Sequence, residues 1–186
     1  MLKVMDEQQT ESEYGCFFCR TGYESQTAQE IERLLPMSNA LVPIKLHIRR
    51  INGKPCEESM PLFPGYVFVR TDSGCNLFQE CEHRYVYRVL CDAEHNWHLR
   101  GNDASVVAKL FGAKGVIDYS AAYYENDRLR ITDGFLKDYE GDIVRVDRRS
   151  HAAQIRLKLL EKEVKVWLGF ELLEKSAAYE RKGTDE

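Results

Sequence analysis

The sequence predicts an α+β fold in two parts, with helices over an antiparallel sheet in the first and a small β-barrel in the second. Three observations predict it. Up to residue 90 the hydrophobic pattern runs strand, helix, strand, strand, helix, strand, with a further helix after it. After residue 125 four short strands follow one another, separated by turns rich in Gly, Asp and charge. Between them, residues 113–125 show no clear period and read as a linker. The expected domains are therefore 14–112 and 126–175.

The elements follow in order. Residues 1–13 read as a loose polar tail. Tyr14 to Arg20 is a short apolar run, read as a buried strand that Gly22 breaks. Ala28, Ile31, Leu34 and Leu35 recur at helical spacing, and Pro36 closes that helix. In ALVPIKLHIRRI, Ile44, Leu46 and Ile48 alternate with Lys45, His47 and Arg49, as in a half-exposed strand. NGKPCEES reads as a polar loop with an Asn-Gly turn signal. PLFPGYVFVR is the next strand, NLFQECE a short helix and YVYRVL another strand. DASVVAKLFG is a helix with Asp103 at its N-cap. The later strands are Arg128 to Thr132, Asp142 to Asp147, Ala153 to Leu159 and Val164 to Leu168, with a frayed end after them.

Composition narrows the function. The chain has 186 residues, 44% of them hydrophobic, enough for a packed core. No apolar run approaches the length of a membrane span, and the polar, acidic start is unlike a signal peptide, so the expected compartment is the cytoplasm. The net charge is −4; residues 14–112 hold eleven basic and eleven acidic side chains, residues 126–175 eleven and ten. Any nucleic-acid site must come from local placement of charge. All six cysteines lie in the first half, and in a reducing compartment they read as thiols. Cys16 and Cys19 fall on opposite faces of a strand and no second CxxC follows, so neither a metal nor another cofactor is expected. No phosphate loop, nucleophile elbow or HExxH helix occurs, which argues against an enzyme.

Two features stand out. Pro64-Gly65 sits between Phe63 and Tyr66 at the mouth of a strand. Proline fixes the backbone and glycine permits close approach, so Phe63, Tyr66 and Tyr14 either line an apolar patch or belong to the core. The second is RVDRRSHAAQIRLKL, where Ile155, Leu157 and Leu159 alternate with Gln154, Arg156 and Lys158. Arg145 is expected opposite Val144 and Val146, and Arg148, Arg149 and His151 lie in the turn. This is either a basic edge for a few phosphates or an ordinary solvated face.

YGCFFCRTGYE, PLFPGYVFVR and DRLRITDGFLKDYEGDIVRVDRR resemble, in order, three signatures of the NusG family of transcription elongation factors. VDRRSHAAQIRLKL and LGFELLEK resemble the LoaP-type antitermination paralogues. The resemblance implies a NusG N-terminal (NGN) α/β sandwich followed by an SH3-like KOW β-barrel, with Gly134 and Gly141 at the motif's glycines. It implies docking of Tyr14, Phe63, Pro64, Gly65 and Tyr66 on the β′ clamp helices of RNA polymerase, by insertion of a helix into an apolar groove. It implies a hairpin in the nascent RNA as the barrel's partner, contacted by Arg128, Lys137, Arg145, Arg148, Arg149, Arg156 and Lys158. Upstream or non-template DNA is a further partner, and the chain is expected to act as a monomer without covalent chemistry, suppressing pausing and termination at selected operons. The alternatives are a general NusG factor whose barrel binds a protein, and a Cys/His metal enzyme. Two departures bear on detail. The family opens with Trp-Tyr where this chain has Tyr14-Gly15, which predicts a shallower groove. The motif's Gly-Pro-Phe is Gly134-Phe135 here, which predicts a reshaped loop.

Overall fold

The computed structural model describes residues 12–51, 54–71, 77, 84–160 and 162–173. The tail before residue 12, the NLFQECE helix apart from Leu77, and the end after residue 173 lie outside these residues. The chain divides into two compact units, Met1–Val42 with Phe63–Ala108, and Pro43–Leu62 with Lys109–Glu186. This partition differs from the one expected, because a hairpin inside the first half joins the second unit.

The first unit is built on a four-stranded antiparallel sheet. Its strands are β1 (Glu13–Cys19), β2 (Ser38–Leu41), β5 (Tyr66–Thr71) and β6 (Val86–Val89), ordered β2-β5-β1-β6. Side chains alternate across β1. Phe17 and Cys19 face one side, where they pack with Val67, Val69 and Val89. Helix α1 (Glu24–Leu34) closes that side with Ile31, and Leu35 and Trp97 complete the cluster. Leu34, expected in the core, is only half-buried. Each fully buried aliphatic side chain here contributes ~1.5–3 kcal/mol. The helix ends because the Leu35 N–H is the last to bond back, to Ile31 O at 2.8 Å, and Pro36 has no N–H to continue. Helix α2 (Gly101–Gly112) starts two residues before Asp103, which lies in its first turn rather than at the cap.

Gly15 lies on the same buried side of β1. A Cβ added there would stand 2.5 Å from Leu77 Cδ1 and 2.9 Å from Trp97 Cε3. The missing side chain therefore makes room for the Trp97 ring within the core. It does not shape a surface groove, which corrects the expectation of a shallower one.

The second unit contains the hairpin β3 (Ile44–Ile51) and β4 (Lys54–Pro61), with β7 (Val116–Ile117) parallel to β3. The stretch NGKPCEES was expected to be a loop, but from Lys54 onward it is strand. Its polar composition fits a strand whose residues 56–60 are exposed on both faces. The larger sheet of this unit has five strands in the order β10 (Ile143–Asp147), β11 (Ala152–Leu159), β12 (Lys162–Leu172), β8 (Ser120–Glu125), β9 (Arg128–Asp133). Strand β8 falls in the expected linker, yet it pairs in parallel with β12 and antiparallel with β9. The expected inner face of β11 holds: Ala153, Ile155, Leu157 and Leu159 are buried. Across the ladder Ala153 is opposite Leu168, Ile155 opposite Val166 and Leu157 opposite Val164. On β10 the pairing shifts between Ile143 and Arg145, and Val144 is 43% exposed rather than opposite Arg145 in the core.

The loop without the motif's proline is a 3₁₀ segment, Phe135–Asp142, stapled by Phe135 stacked on Tyr139 at 5.1 Å. Gly134 precedes it with φ +89°, and a Cβ there would lie 2.6 Å from Ser120 Oγ and 2.8 Å from Ser120 Cα. Only glycine allows that approach. It lets the Leu136 N–H donate to Ser120 Oγ at 3.0 Å.

Candidate partner-binding surfaces

The Pro64-Gly65 pair forms a tight turn. The Tyr66 N–H donates to Phe63 O at 3.2 Å, with Pro64 and Gly65 at the two central positions. Gly65 has φ +82°, the backbone that a type II turn demands at its third residue. The turn is held from both sides. The Gly65 N–H donates to Glu24 Oε1 at 2.8 Å, and Gly65 O accepts from the Cys19 N–H at 2.8 Å.

This geometry divides the predicted site. Phe63 is 5% exposed and meets Phe68 edge-on at 5.9 Å, so it is a core ring and not an open anchor. Pro64 is exposed and Tyr66 half-buried, on the outer part of the turn. Tyr14 shares a strand face with Phe18 but lies four residues along it, ~13 Å away. Between them Cys16 is fully buried, so Tyr14 does not join the other rings.

What Tyr66 does meet is a pair of residues that sequence reading missed. Phe18 lies 5.4 Å from the Tyr66 ring and 5.5 Å from Tyr87, and Tyr87 is 63% exposed. Phe18 is directly opposite Tyr66 in the β1–β5 register. The signals were present: in FF at 17–18 one ring must face out when the other faces in, and YVY places two tyrosines at i and i+2. These three tilted rings form an apolar cluster at one end of the sheet face that also carries the buried Cys16 and Phe68, with Tyr87 its exposed edge.

A second arrangement borders the start of α1. Tyr23 stacks on Tyr85 at 4.1 Å; the Arg20 guanidinium lies 4.9 Å over Tyr23, and Arg84 5.1 Å over Tyr85. The Arg20 N–H donates to Tyr85 O at 2.9 Å, which sets the two loops in register. Neither guanidinium has a carboxylate partner among the described residues. Two cations thus flank a tyrosine stack, each held by cation–π attraction.

In the second unit the seven predicted basic residues separate into groups. Arg145, Arg156 and Lys158 lie on the outer face of the β10–β11–β12 ladder. Arg145 is opposite Gln154, which is opposite Trp167, while Arg156 is opposite Lys165. Trp167 is half-buried and Lys165 exposed; neither was predicted, although KEVKVW alternates in the same way as β11. Arg156 and Lys165 place like charges directly across the ladder, an arrangement that costs stability unless an anion offsets it.

Arg148 is engaged within the unit. Its Nη2 donates to Asp127 O at 3.0 Å and Asp127 Oδ1 at 3.1 Å, and its guanidinium lies 4.5 Å over Tyr124. Arg149 sits in the same exposed turn. The turn is ordered by Asp147 Oδ1, which accepts from the Arg149 N–H at 2.9 Å and the Ser150 N–H at 3.2 Å. The Ser150 hydroxyl and these backbone N–H groups hold the Asp147 carboxyl below its ordinary pKa. Arg128 opens β9, and Lys137 lies apart, exposed on the 3₁₀ segment.

Cys16 and Cys19 are both buried, on opposite faces of β1. Burial, then the neighbouring Cys19 and Asp103, pushes the Cys16 thiol well above its ordinary pKa. Burial also raises Cys19, against the neighbouring Thr27 hydroxyl, which lowers it. Among the described residues no group of three or more His, Cys, Asp or Glu is placed to hold a metal. No helix among them is long and apolar enough to cross a membrane.

The first unit is thus an α+β domain with three tilted aromatic rings clustered at its sheet. Residues 14–99 match the family model NusG, described as transcription termination factor nusG. The fold is also similar to a solved structure of Thermotoga maritima NusG, titled "Domain interaction in Thermotoga maritima NusG". That likeness covers 86% of this chain and 94% of the other at 18% identity, with a TM-score of 0.47.

Proposed function

We propose that the chain is a NusG-type transcription factor that tethers itself to RNA polymerase through the Phe18–Tyr66–Tyr87 platform and engages a nascent RNA hairpin through the outer face of β10–β12. On this reading it suppresses pausing and termination at selected operons, acts as a cytoplasmic monomer and performs no covalent step. The observation that carries it is the ring cluster: three aromatic side chains on a sheet, one largely exposed, within the region that matches the NusG family model. Aromatic anchors of this kind carry most of the energy when a helix docks in an apolar groove. The polymerase clamp helices, which the family resemblance implies, fit that mode of docking. Arg145, Arg156, Lys158 and Lys165 around Trp167 support RNA binding: cations track phosphates and an indole offers a stacking face. The Arg20–Tyr23–Tyr85–Arg84 stack supports a further contact to upstream or non-template DNA.

The test uses the full chain and core polymerase. Tyr66→Ala combined with Tyr87→Ala is expected to weaken polymerase binding by ~10–30-fold while leaving RNA-hairpin affinity within twofold. Unchanged polymerase affinity would overturn the reading. A second reading, in which the barrel binds a protein, is favoured by the pinning of Arg148 to Asp127 and Tyr124. Retention of the full chain by a termination factor or ribosomal protein, with no RNA shift, would select it.

A further inference from the structure

From the geometry around the Pro64-Gly65 turn, we infer that Glu24 is the positioning residue of the aromatic platform, a role that rests on the polymerase-binding reading above. Glu24 opens α1 and is 4% exposed, although it carries a carboxylate. A buried carboxylate is costly unless its oxygens are matched by donors. Here each oxygen has one. Oε2 accepts from the Gly22 N–H at 2.8 Å, and Oε1 accepts from the Gly65 N–H at 2.8 Å. Glu24 therefore ties together two backbone segments 43 residues apart, the loop leaving β1 and the turn entering β5.

The consequence reaches the rings through short, stiff connections. Phe18 is the neighbour of Cys19, whose N–H donates to Gly65 O, and Tyr66 is the neighbour of Gly65. The Gly65 residue is thus clamped at its N–H by Glu24 and at its carbonyl by Cys19. That fixes where Tyr66 leaves the turn relative to Phe18. No side-chain atom at position 65 assists, since a Cβ there would lie 3.2 Å from Cys19 O and 3.3 Å from Phe18 Cε2. Glu24 itself is too buried to touch a partner. It acts on the partner only through Tyr66 and Phe18.

Glu24→Gln is the informative change. The amide keeps one acceptor, but its NH2 group then faces a backbone N–H, so one of the two ties becomes donor against donor. The experiment is a double-mutant cycle in the full chain, with core-polymerase affinity read at a temperature where every variant is folded. Tyr66→Ala alone is expected to weaken binding. Glu24→Gln is expected to weaken it about tenfold in the wild-type background and less than twofold in the Tyr66→Ala background. A residue that merely supports the fold would lower the melting temperature and leave the affinity of the folded protein unchanged. Equal weakening in both backgrounds, or none in the first, overturns the inference while leaving the polymerase surface standing. No effect of Tyr66→Ala overturns the surface and the inference together. If Glu24→Gln does not fold, Gly65→Ala strains the same turn without touching Glu24 and replaces it in the cycle, with the same outcomes decisive.

Discussion

Gly15→Ala tests the packing of the first unit most sharply. The new methyl would stand 2.5 Å from Leu77 Cδ1, 2.9 Å from Trp97 Cε3 and 3.3 Å from Trp97 Cζ3. Ordinary carbon contacts begin near 3.5 Å, so the leucine methyl must move by ~1 Å and the indole by about half that. Leu77 is a flexible chain end, but Trp97 is a rigid ring, 5% exposed. Overpacking of this kind costs ~1–3 kcal/mol. Against it stands the gain of alanine over glycine within a strand, ~0.5–1 kcal/mol. The net is a destabilisation of ~1–2 kcal/mol, which for a chain of this size lowers the melting temperature by about 2–8 °C. The assay is thermal unfolding followed by Trp97 emission, with Trp167→Phe as the background. Trp97→Phe, which removes the emitting ring and is therefore followed by far-ultraviolet circular dichroism, is expected to return part of the loss when combined with Gly15→Ala. A Gly15→Ala protein at least as stable as the parent would refute the packing argument.

The other predictions concern the second unit. Gly134→Ala is expected to cost ~2–4 kcal/mol, because the methyl meets the Ser120 backbone at 2.8 Å from a left-handed position; near-parental stability in urea unfolding would count against the approach described. Replacing Arg145, Arg156 and Lys165 together by Gln is expected to weaken RNA-hairpin binding and flatten its log–log salt slope by about two to three; an unchanged slope would exclude phosphate contacts at this face. The 147–150 turn depends on pH with a definite sign. The Asp147 carboxyl lies below its unfolded value of ~3.9, so its contribution is present above that pH and lost as pH falls through the folded value. Amide exchange at Arg149 and Ser150 should accelerate only on acidification below about pH 4, relative to the trend of neighbouring amides. No such break would show that the carboxylate does not order the turn.

Much of the architecture was readable because it is local. Phe17, Cys19, Val67 and Val69 alternate, and Ala28 and Ile31 recur at helical spacing, so β1, β5 and α1 were legible. The inner face of β11 was legible for the same reason. What failed was non-local. SAAYYE has no clean period, and its partner β12 lies some fifty residues later in parallel, so nothing near β8 announces a strand. KPCEESMP looks like a loop because its residues are mostly exposed; it is a strand because β3 offers a full ladder. At the candidate site, Pro64, Gly65 and Tyr66 were read from turn chemistry. Phe63 was misplaced because a ring beside a turn can face either way, and only the Phe68 contact decides. Phe18 and Tyr87 belong to different strands, and their meeting depends on the order β5-β1-β6.

The facing cations Arg156 and Lys165 carry one more implication. Dissolved ions mask their mutual repulsion, so adding electrolyte should make this five-stranded sheet harder to unfold. The same ions compete for those groups against any polyanion, so occupancy should fall over the same range. One pair of side chains then gives the molecule two responses of opposite sign to a single variable: the sheet is at its least robust in dilute buffer, where a polyanion offered to it would be held most tightly.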